Sequence, residues 1–177
     1  LNIGQPEDLL QSARMYASAG VLSIETEKPH FENERNSAFR VQMRGGSFGY
    51  VSPSIRWWQK AGSRTSFSLN GNYMRADGNY PFTLVNGKYV TEEKRNNSAI
   101  YTYQIEPTLF HTFKDSSNLE LKAYYFYSKR GLPGSVTLYN PISDETLWDE
   151  NVFIQTRYKK DFSQKWSLQA QAKYNHG

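Results

Sequence analysis

Histidine is the side chain best suited to moving a proton or holding a metal near neutral pH, and this chain has three: His30, His111 and His176. They lie in a polar stretch, in an alternating run and next to the last residue, so no metal-ligand spacing is present. The chain has no cysteine, which removes a thiolate nucleophile, a disulfide scaffold and a Cys-based zinc site together. No Ser–His–Asp arrangement can be argued from spacing, and there is no nucleophile elbow, Walker loop or dinucleotide fingerprint. Gly45-Gly46-Ser47-Phe48-Gly49 is glycine-rich, but no strand-to-helix context follows it, so it reads as a tight turn and not as a phosphate cradle. Asp144, Glu145, Asp149 and Glu150 form an acidic cluster of the kind calcium prefers, yet the EF-hand pattern is missing, and a solvated loop is the reading taken. The expectation is a protein that is not an enzyme and needs no cofactor or resident metal.

The chemistry that remains is recognition. Asp77-Gly78-Asn79-Tyr80-Pro81-Phe82 mixes turn formers with aromatic rings, and Lys129-Arg130-Gly131-Leu132-Pro133-Gly134 pairs cations with two bends. For a large amphiphilic ligand, Tyr80, Phe82 and Tyr139 offer stacking faces, while Asp77, Asn79 and Arg130 offer hydrogen bonds. These six are the candidate ligand-binding residues, because recognition usually sits on loops held by a rigid scaffold. A second reading stays open beside it, in which Tyr80 and Phe82 pack within their own loop or sit in an upper aromatic girdle.

The scaffold that would hold those loops is legible as period-two alternation. Phe39, Val41 and Met43 alternate with Arg40, Gln42 and Arg44, and Val51, Pro53, Ile55 and Trp57 with Ser52, Ser54 and Arg56. Phe67, Leu69, Gly71 and Tyr73 oppose Ser66, Ser68, Asn70 and Asn72, the cleanest amphipathic strand of the set. Four more runs follow the rule, around residues 101–112, 119–128, 152–159 and 166–174, with Tyr124 and Phe126 breaking the parity of the fifth. The prediction is an all-β chain, an antiparallel meander of about seven long strands. Ahead of it, Leu9, Leu10 and Ala13 predict a short helix over Pro6 to Met15, Gly20 to Thr26 predicts a strand, and Glu27 to Asn36 reads as a linker.

Composition narrows the setting. With 13 Tyr, 10 Phe and 4 Trp and a mean hydropathy of −0.73, aromatic residues are abundant in a sequence that is polar on average. That combination suits strands with one greasy and one wet side. No run approaches the roughly 20 apolar residues of a membrane helix, whereas a tilted barrel strand needs only about 9–11 alternating residues. The net charge of +4 is spread along the chain without a concentrated basic patch, which argues against nucleic acid as a partner.

The connections alternate too. Lys60 to Ser63, Asp115 to Asn118 and Asp161 to Gln164 are short and polar, while Ala76 to Ala99 and Lys129 to Glu150 are long. Short turns at one end with long loops at the other is the arrangement of an outer-membrane β-barrel. A soluble β-sandwich binding module is the alternative, and strands of about 10 residues are long for it. Neither end carries a signal peptide or a natural stop in the pattern, so both are expected to be boundaries within a longer protein.

At two places the residues resemble TonB-dependent outer-membrane receptors. Tyr16-Ala17-Ser18-Ala19-Gly20-Val21-Leu22-Ser23-Ile24-Glu25-Thr26 is similar to the end of that family's plug domain, with Ala19 where the family often has Gly. Gly46-Ser47-Phe48-Gly49, then Ser66 to Tyr73 and Ala76-Asp77-Gly78-Asn79-Tyr80, resemble its first barrel hairpins in order and spacing. The resemblance implies the end of the plug over residues 1–28, a linker over 29–36 and the first part of a barrel of about 22 strands over 37–177. It further implies a location in the outer membrane of a Gram-negative bacterium, with lipid as a partner. Its activity would be energised uptake of a scarce nutrient, most like the cobalamin receptors, with siderophore and glycan receptors as the alternatives. Coupling to the TonB complex would run through a segment upstream of Leu1. A seven-strand piece on its own is expected to self-associate.

Overall fold

The computed structural model describes residues 2–4, 21–23, 31, 35–136 and 143–177. The expected helix over Pro6 to Met15, most of the expected linker and Tyr139 lie outside the described residues. Eleven strands are present among the described ones. β1 (Asn2–Gly4) and β2 (Val21–Ser23) form a two-stranded antiparallel pair, and β2 falls inside the strand expected from Gly20 to Thr26. The remainder is β3 (Ser37–Gly45), β4 (Val51–Lys60), β5 (Thr65–Ala76), β6 (Pro81–Asn86), β7 (Tyr89–Lys94), β8 (Ile100–Thr112), β9 (Asn118–Gly131), β10 (Thr146–Asp161) and β11 (Ser167–His176).

Seven of these make one antiparallel sheet in the order β3-β4-β5-β8-β9-β10-β11, each strand paired with its sequence neighbour across β6–β7. The fold is therefore all-β and a meander of seven long strands, as the alternation predicts. Two expectations need correcting. The segment from Ala76 to Ala99 is not a plain loop: β6 and β7 pair within it as a separate hairpin. The second long connection is shorter than expected, because β9 runs to Gly131 and β10 starts at Thr146. Asp149 and Glu150 thus sit in a strand, opposite Ser128 and Tyr127.

Two prolines stand in interior strands, where a missing N–H must interrupt a ladder. The β8–β9 pairing passes from Ile105↔Tyr125 to Thr108↔Lys122 around Pro107, and the β4–β5 pairing passes from Val51↔Arg75 to Ser54↔Asn72 around Pro53. On their other sides both prolines stay in register, with Leu69 and Met43. Each ladder loses pairing on one side only.

Register fixes two faces. One carries Ser68, Thr108, Lys122 and Gln155 as a continuous cross-strand row, the other Phe67, Leu109, Leu121 and Thr156. The buried strand residues Ser52, Ser68, Thr108, Phe110 and Ser128 all belong to the first, polar face. The large exposed apolar residues on the strands of this seven-stranded sheet, among them Val41, Phe67, Ile105, Leu121, Ile154 and Leu168, all belong to the second. Extensive contacts among the described elements run only between neighbouring strands of one sheet. With neither face covered by another layer, side chains are sheltered on the side toward which the sheet curls, so it curls toward its polar side. Phe110 is the one buried hydrophobic residue described, and no hydrophobic core of the usual kind sits on the greasy side.

Candidate functional site

The meander puts its connections at two ends. At one lie the short turns 61–64, 113–117 and 162–166; at the other lie the β3–β4 turn, the β5–β8 connection with its hairpin, and the β9–β10 connection. The five described candidates, Asp77, Asn79, Tyr80, Phe82 and Arg130, fall at or next to this second end, and local chemistry holds it together.

The β3–β4 turn has Phe48 at φ 57° and Gly49 at φ 72° in its two central positions, closed by Tyr50 N–H donating to the Ser47 carbonyl at 3.3 Å. Positive φ at both central residues is the type I′ geometry that suits hairpin twist, and Phe is an unusual occupant of it. The turn is held from outside: the backbone N–H groups of Asp77 and Gly78 donate to the Phe48 carbonyl at 2.8 and 3.3 Å. Gly49 suits the positive φ, and a Cβ there would also oblige the Asp77 carboxylate to turn aside. Arg75 donates to Asp77 through Nε and Nη2 at 3.3 and 3.0 Å and lies over the Tyr101 ring, 5.7 Å from its centroid.

Three rings gather on this clamp. Phe48 meets Tyr80 edge-on at 6.1 Å between centroids, and Tyr80 meets Phe82 at 6.3 Å. Both Phe48 and Tyr80 stay exposed, at 46% and 44%. A stitch then joins the two longer connections. Asn97, at φ 49°, donates its amide to the carbonyls of Leu132 and Glu145 at 3.1 and 2.6 Å, and Arg95 donates to the Gly134 carbonyl at 2.8 Å. Leu132 N–H reaches the Glu145 carbonyl at 2.9 Å, and Ser98 Oγ donates to the Gly78 carbonyl at 2.8 Å. A Cβ at Gly131 would strike the Asn97 backbone, so the close approach depends on that glycine.

Of the six candidates, Asp77, Asn79, Tyr80 and Phe82 are therefore on one connection, with Asp77 committed to Arg75, Tyr80 between two rings and Asn79 exposed. Arg130 stands apart. It lies on β9 opposite Ile100, which in turn faces Ala76, two strand spacings or about 10 Å from β5. It pairs with Asp149 at 3.4 Å. Tyr139 lies outside the described residues. Sequence reasoning missed Phe48, Arg95 and Asn97: the only signals were the Ser47-Phe48-Gly49 turn and the polar run Arg95-Asn96-Asn97-Ser98, and neither tells what it will touch. No group of three or more His, Asp or Glu side chains is placed to share a metal ion among the described residues.

At the opposite end, Asp115 accepts from Ser117 N–H and Oγ at 3.2 and 2.7 Å and from Lys160 Nζ at 2.7 Å. The Lys160 ammonium, then the two Ser117 donors, hold this carboxyl well below the usual carboxylate range.

Together these features define a class: an amphipathic antiparallel wall with its greasy side bare, short turns at one end and interlocked, aromatic-bearing connections at the other. No model of a known protein family matches the chain, and no curated protein matches it in sequence.

Proposed function

We propose that the chain is part of the wall of a transmembrane β-barrel in a Gram-negative outer membrane, within a TonB-dependent receptor that takes up a scarce nutrient of the cobalamin type. The observation that carries this reading is the inverted sheet, with serine and threonine sheltered and Val41, Phe67, Ile105, Leu121 and Ile154 exposed. In water such a row is a liability, whereas facing acyl chains it needs no cover. A soluble sandwich would hide that row against a second sheet.

The distribution of aromatics along the bare side fits the same reading. On the β8 line Tyr101 and Tyr103 come first, Ile105, Pro107 and Leu109 occupy the middle, and His111 and Phe113 close the far end. Tyr73, Tyr103 and Tyr127 form one lateral band at 5.2 and 6.0 Å, and Phe113 meets His111 and Tyr158 in another at 4.6 and 6.4 Å. From Tyr103 to Phe113 the strand advances about 33 Å at roughly 3.3 Å per residue, which a tilt of about 40° turns into a band close to 25 Å tall. That is the height of an outer-membrane apolar belt flanked by aromatic girdles.

The native chain lacks cysteine, so single labels are clean. Spin labels at Leu69→Cys, Leu121→Cys and Ile154→Cys, in the chain refolded into lipid vesicles, should be relaxed by oxygen and shielded from a water-soluble nickel chelate. Labels at Asn70→Cys, Lys122→Cys and Gln155→Cys should behave the opposite way. Equal access on both faces would sink the membrane reading. The nutrient is the finer part, supported by the resemblance and by the aromatic rim. A Tyr80→Ala, Phe82→Ala variant removes two faces worth about 1–3 kcal/mol each, by analogy with stacked bases. Cobalamin, ferric-siderophore and oligosaccharide affinities of that variant, compared with wild type while circular dichroism confirms the sheet, should single out the ligand. Unchanged affinity for all three would remove the rim from the site.

A further inference from the structure

We propose that the polar side of β3, β4 and β5 binds a multivalent oxyanion, with Arg40, Arg44 and Arg56 as its charged groups. Parity puts all three on the polar face, and register sets Arg40 directly opposite Arg56. Like charges facing each other across an antiparallel pair are destabilising, and long cations in that position gain most from a shared counter-ion. None is supplied by the neighbouring strand positions among the described residues. Between Ser37 and Ala76 the polar-face strand positions hold amides, hydroxyls, Ala38, Trp58, Met74, Ala76 and one further cation, Lys60, beside the arginines, and no carboxylate. None of the three arginines is ion-paired among the described residues.

The rest of the face is built differently, which makes the contrast informative. Lys122 there is matched by Glu106 at 2.9 Å and Arg130 by Asp149 at 3.4 Å. Glu106 lies opposite Asn70, the polar-face neighbour of Arg56, but it is already engaged by Lys122 and by the Asn70 amide at 3.3 Å. With the Gln42 amide turned to accept, Arg44 donates to it at 3.2 and 3.3 Å, which steadies one guanidinium along the face.

Guanidinium forks suit oxyanions because two parallel N–H groups meet two oxygens. Two facing forks call for more than one negative charge, since a monovalent ion would leave residual repulsion. Gln42, Ser54, Asn70 and Asn72 offer neutral donors to the remaining oxygens. A lipid headgroup would approach from the apolar side, so the expected ligand is a dissolved di- or trivalent phosphate or carboxylate. The exclusion of a headgroup rests on the membrane-wall reading, while the rest of the inference follows from the face assignment and does not need the uptake reading.

The probe is inorganic pyrophosphate, titrated calorimetrically into the full chain refolded in zwitterionic micelles at fixed ionic strength. Binding should saturate, and Arg40→Gln with Arg56→Gln should weaken it by at least about tenfold. Lys88→Gln with Lys165→Gln removes the same charge away from this face and should leave affinity within about twofold. Without pyrophosphate, the arginine variant should unfold at higher denaturant than wild type, because the facing charges are gone. Pyrophosphate should then raise the midpoint of wild type only. Equal losses in both double variants, or heats that track ionic strength alone, would overturn the proposal. Competition by phosphatidylglycerol in the micelle would overturn it in favour of a headgroup. Binding that appears only after Glu25, Glu27, Glu32 and Glu34 are changed to Gln would overturn it in favour of the chain's own acidic segment.

Discussion

Asp115 is a single turn residue with three donors on it, two from Ser117 and one from Lys160 on β10, the strand paired with β9. Its folded pKa lies below the unfolded value of about 3.9, so the folded state resists protonation there. The contribution is complete above about pH 4 and is lost as pH falls below it toward the folded value. Denaturant midpoints measured from pH 6 down to about pH 2 should therefore drop more steeply for wild type than for Asp115→Asn; parallel profiles would show that the cluster adds nothing to stability. Only half of this was readable in the sequence. Asp115-Ser116-Ser117-Asn118 announces a turn by composition, but its tie to Lys160 depends on the β9–β10 register. The candidate rim divides the same way. Asp77 to Phe82 stand out because turn formers and aromatics are adjacent, whereas Phe48 and Asn97 matter through partners far off in sequence.

Strand parity was the most legible element-level feature, because a one-residue error would move every side chain to the wrong face. Phe67-Leu69-Tyr73 and Leu119-Leu121-Ala123 keep their parity from sequence into the sheet, and the exceptions Tyr124 and Phe126 prove to lie on the polar side. There Tyr124 stacks on Phe153 at 4.7 Å, with Lys173 4.2 Å from the other ring. The β6–β7 hairpin was not legible in the same way. Its strands are short, their alternation is weak, and Val85, Tyr89 and Val90 remain exposed, so no burial pattern marks it. The turn chemistry does mark it: Asn86 pairs with Tyr89, leaving Gly87 at φ 61° first in a two-residue loop, the type II′ position for glycine. Gly87→Val should cost roughly 1–2 kcal/mol there through backbone strain alone, since no atom lies near the missing Cβ. Hydrogen exchange should show faster amides over Pro81–Lys94 and unchanged protection in β5, β8 and β9. Slower exchange across the whole sheet, or no change in the hairpin, would contradict a turn-controlled unit.

At the scale of the whole molecule, the order β3-β4-β5-β8-β9-β10-β11 leaves β3 and β11 each with a partner on one side only among the described residues. Their outer backbone groups are templates for further pairing, and neither edge is blunted by proline. The apolar face adds a second drive, since Phe39, Val41 and Met43 on β3 and Leu168 and Tyr174 on β11 bring exposed greasy surface right to those edges. Alternation reveals both faces from sequence, but it cannot say what the edges meet, because pairing across an edge leaves no period in the chain. Water and lipid should therefore give opposite outcomes. In detergent-free buffer the chain should associate and bind an apolar dye, through edge pairing, face-to-face contact or both. In micelles the face is covered, so dye binding should vanish, and any remaining association must run through the edges. Val41→Lys with Leu168→Lys puts charge on the apolar side of both edge strands and should reduce association in buffer while leaving circular dichroism in micelles intact. Light scattering reads the result directly: a monodisperse monomer in detergent-free buffer, silent toward the dye, would show that the greasy side is covered in solution and would count against both the bare face and the membrane wall built on it.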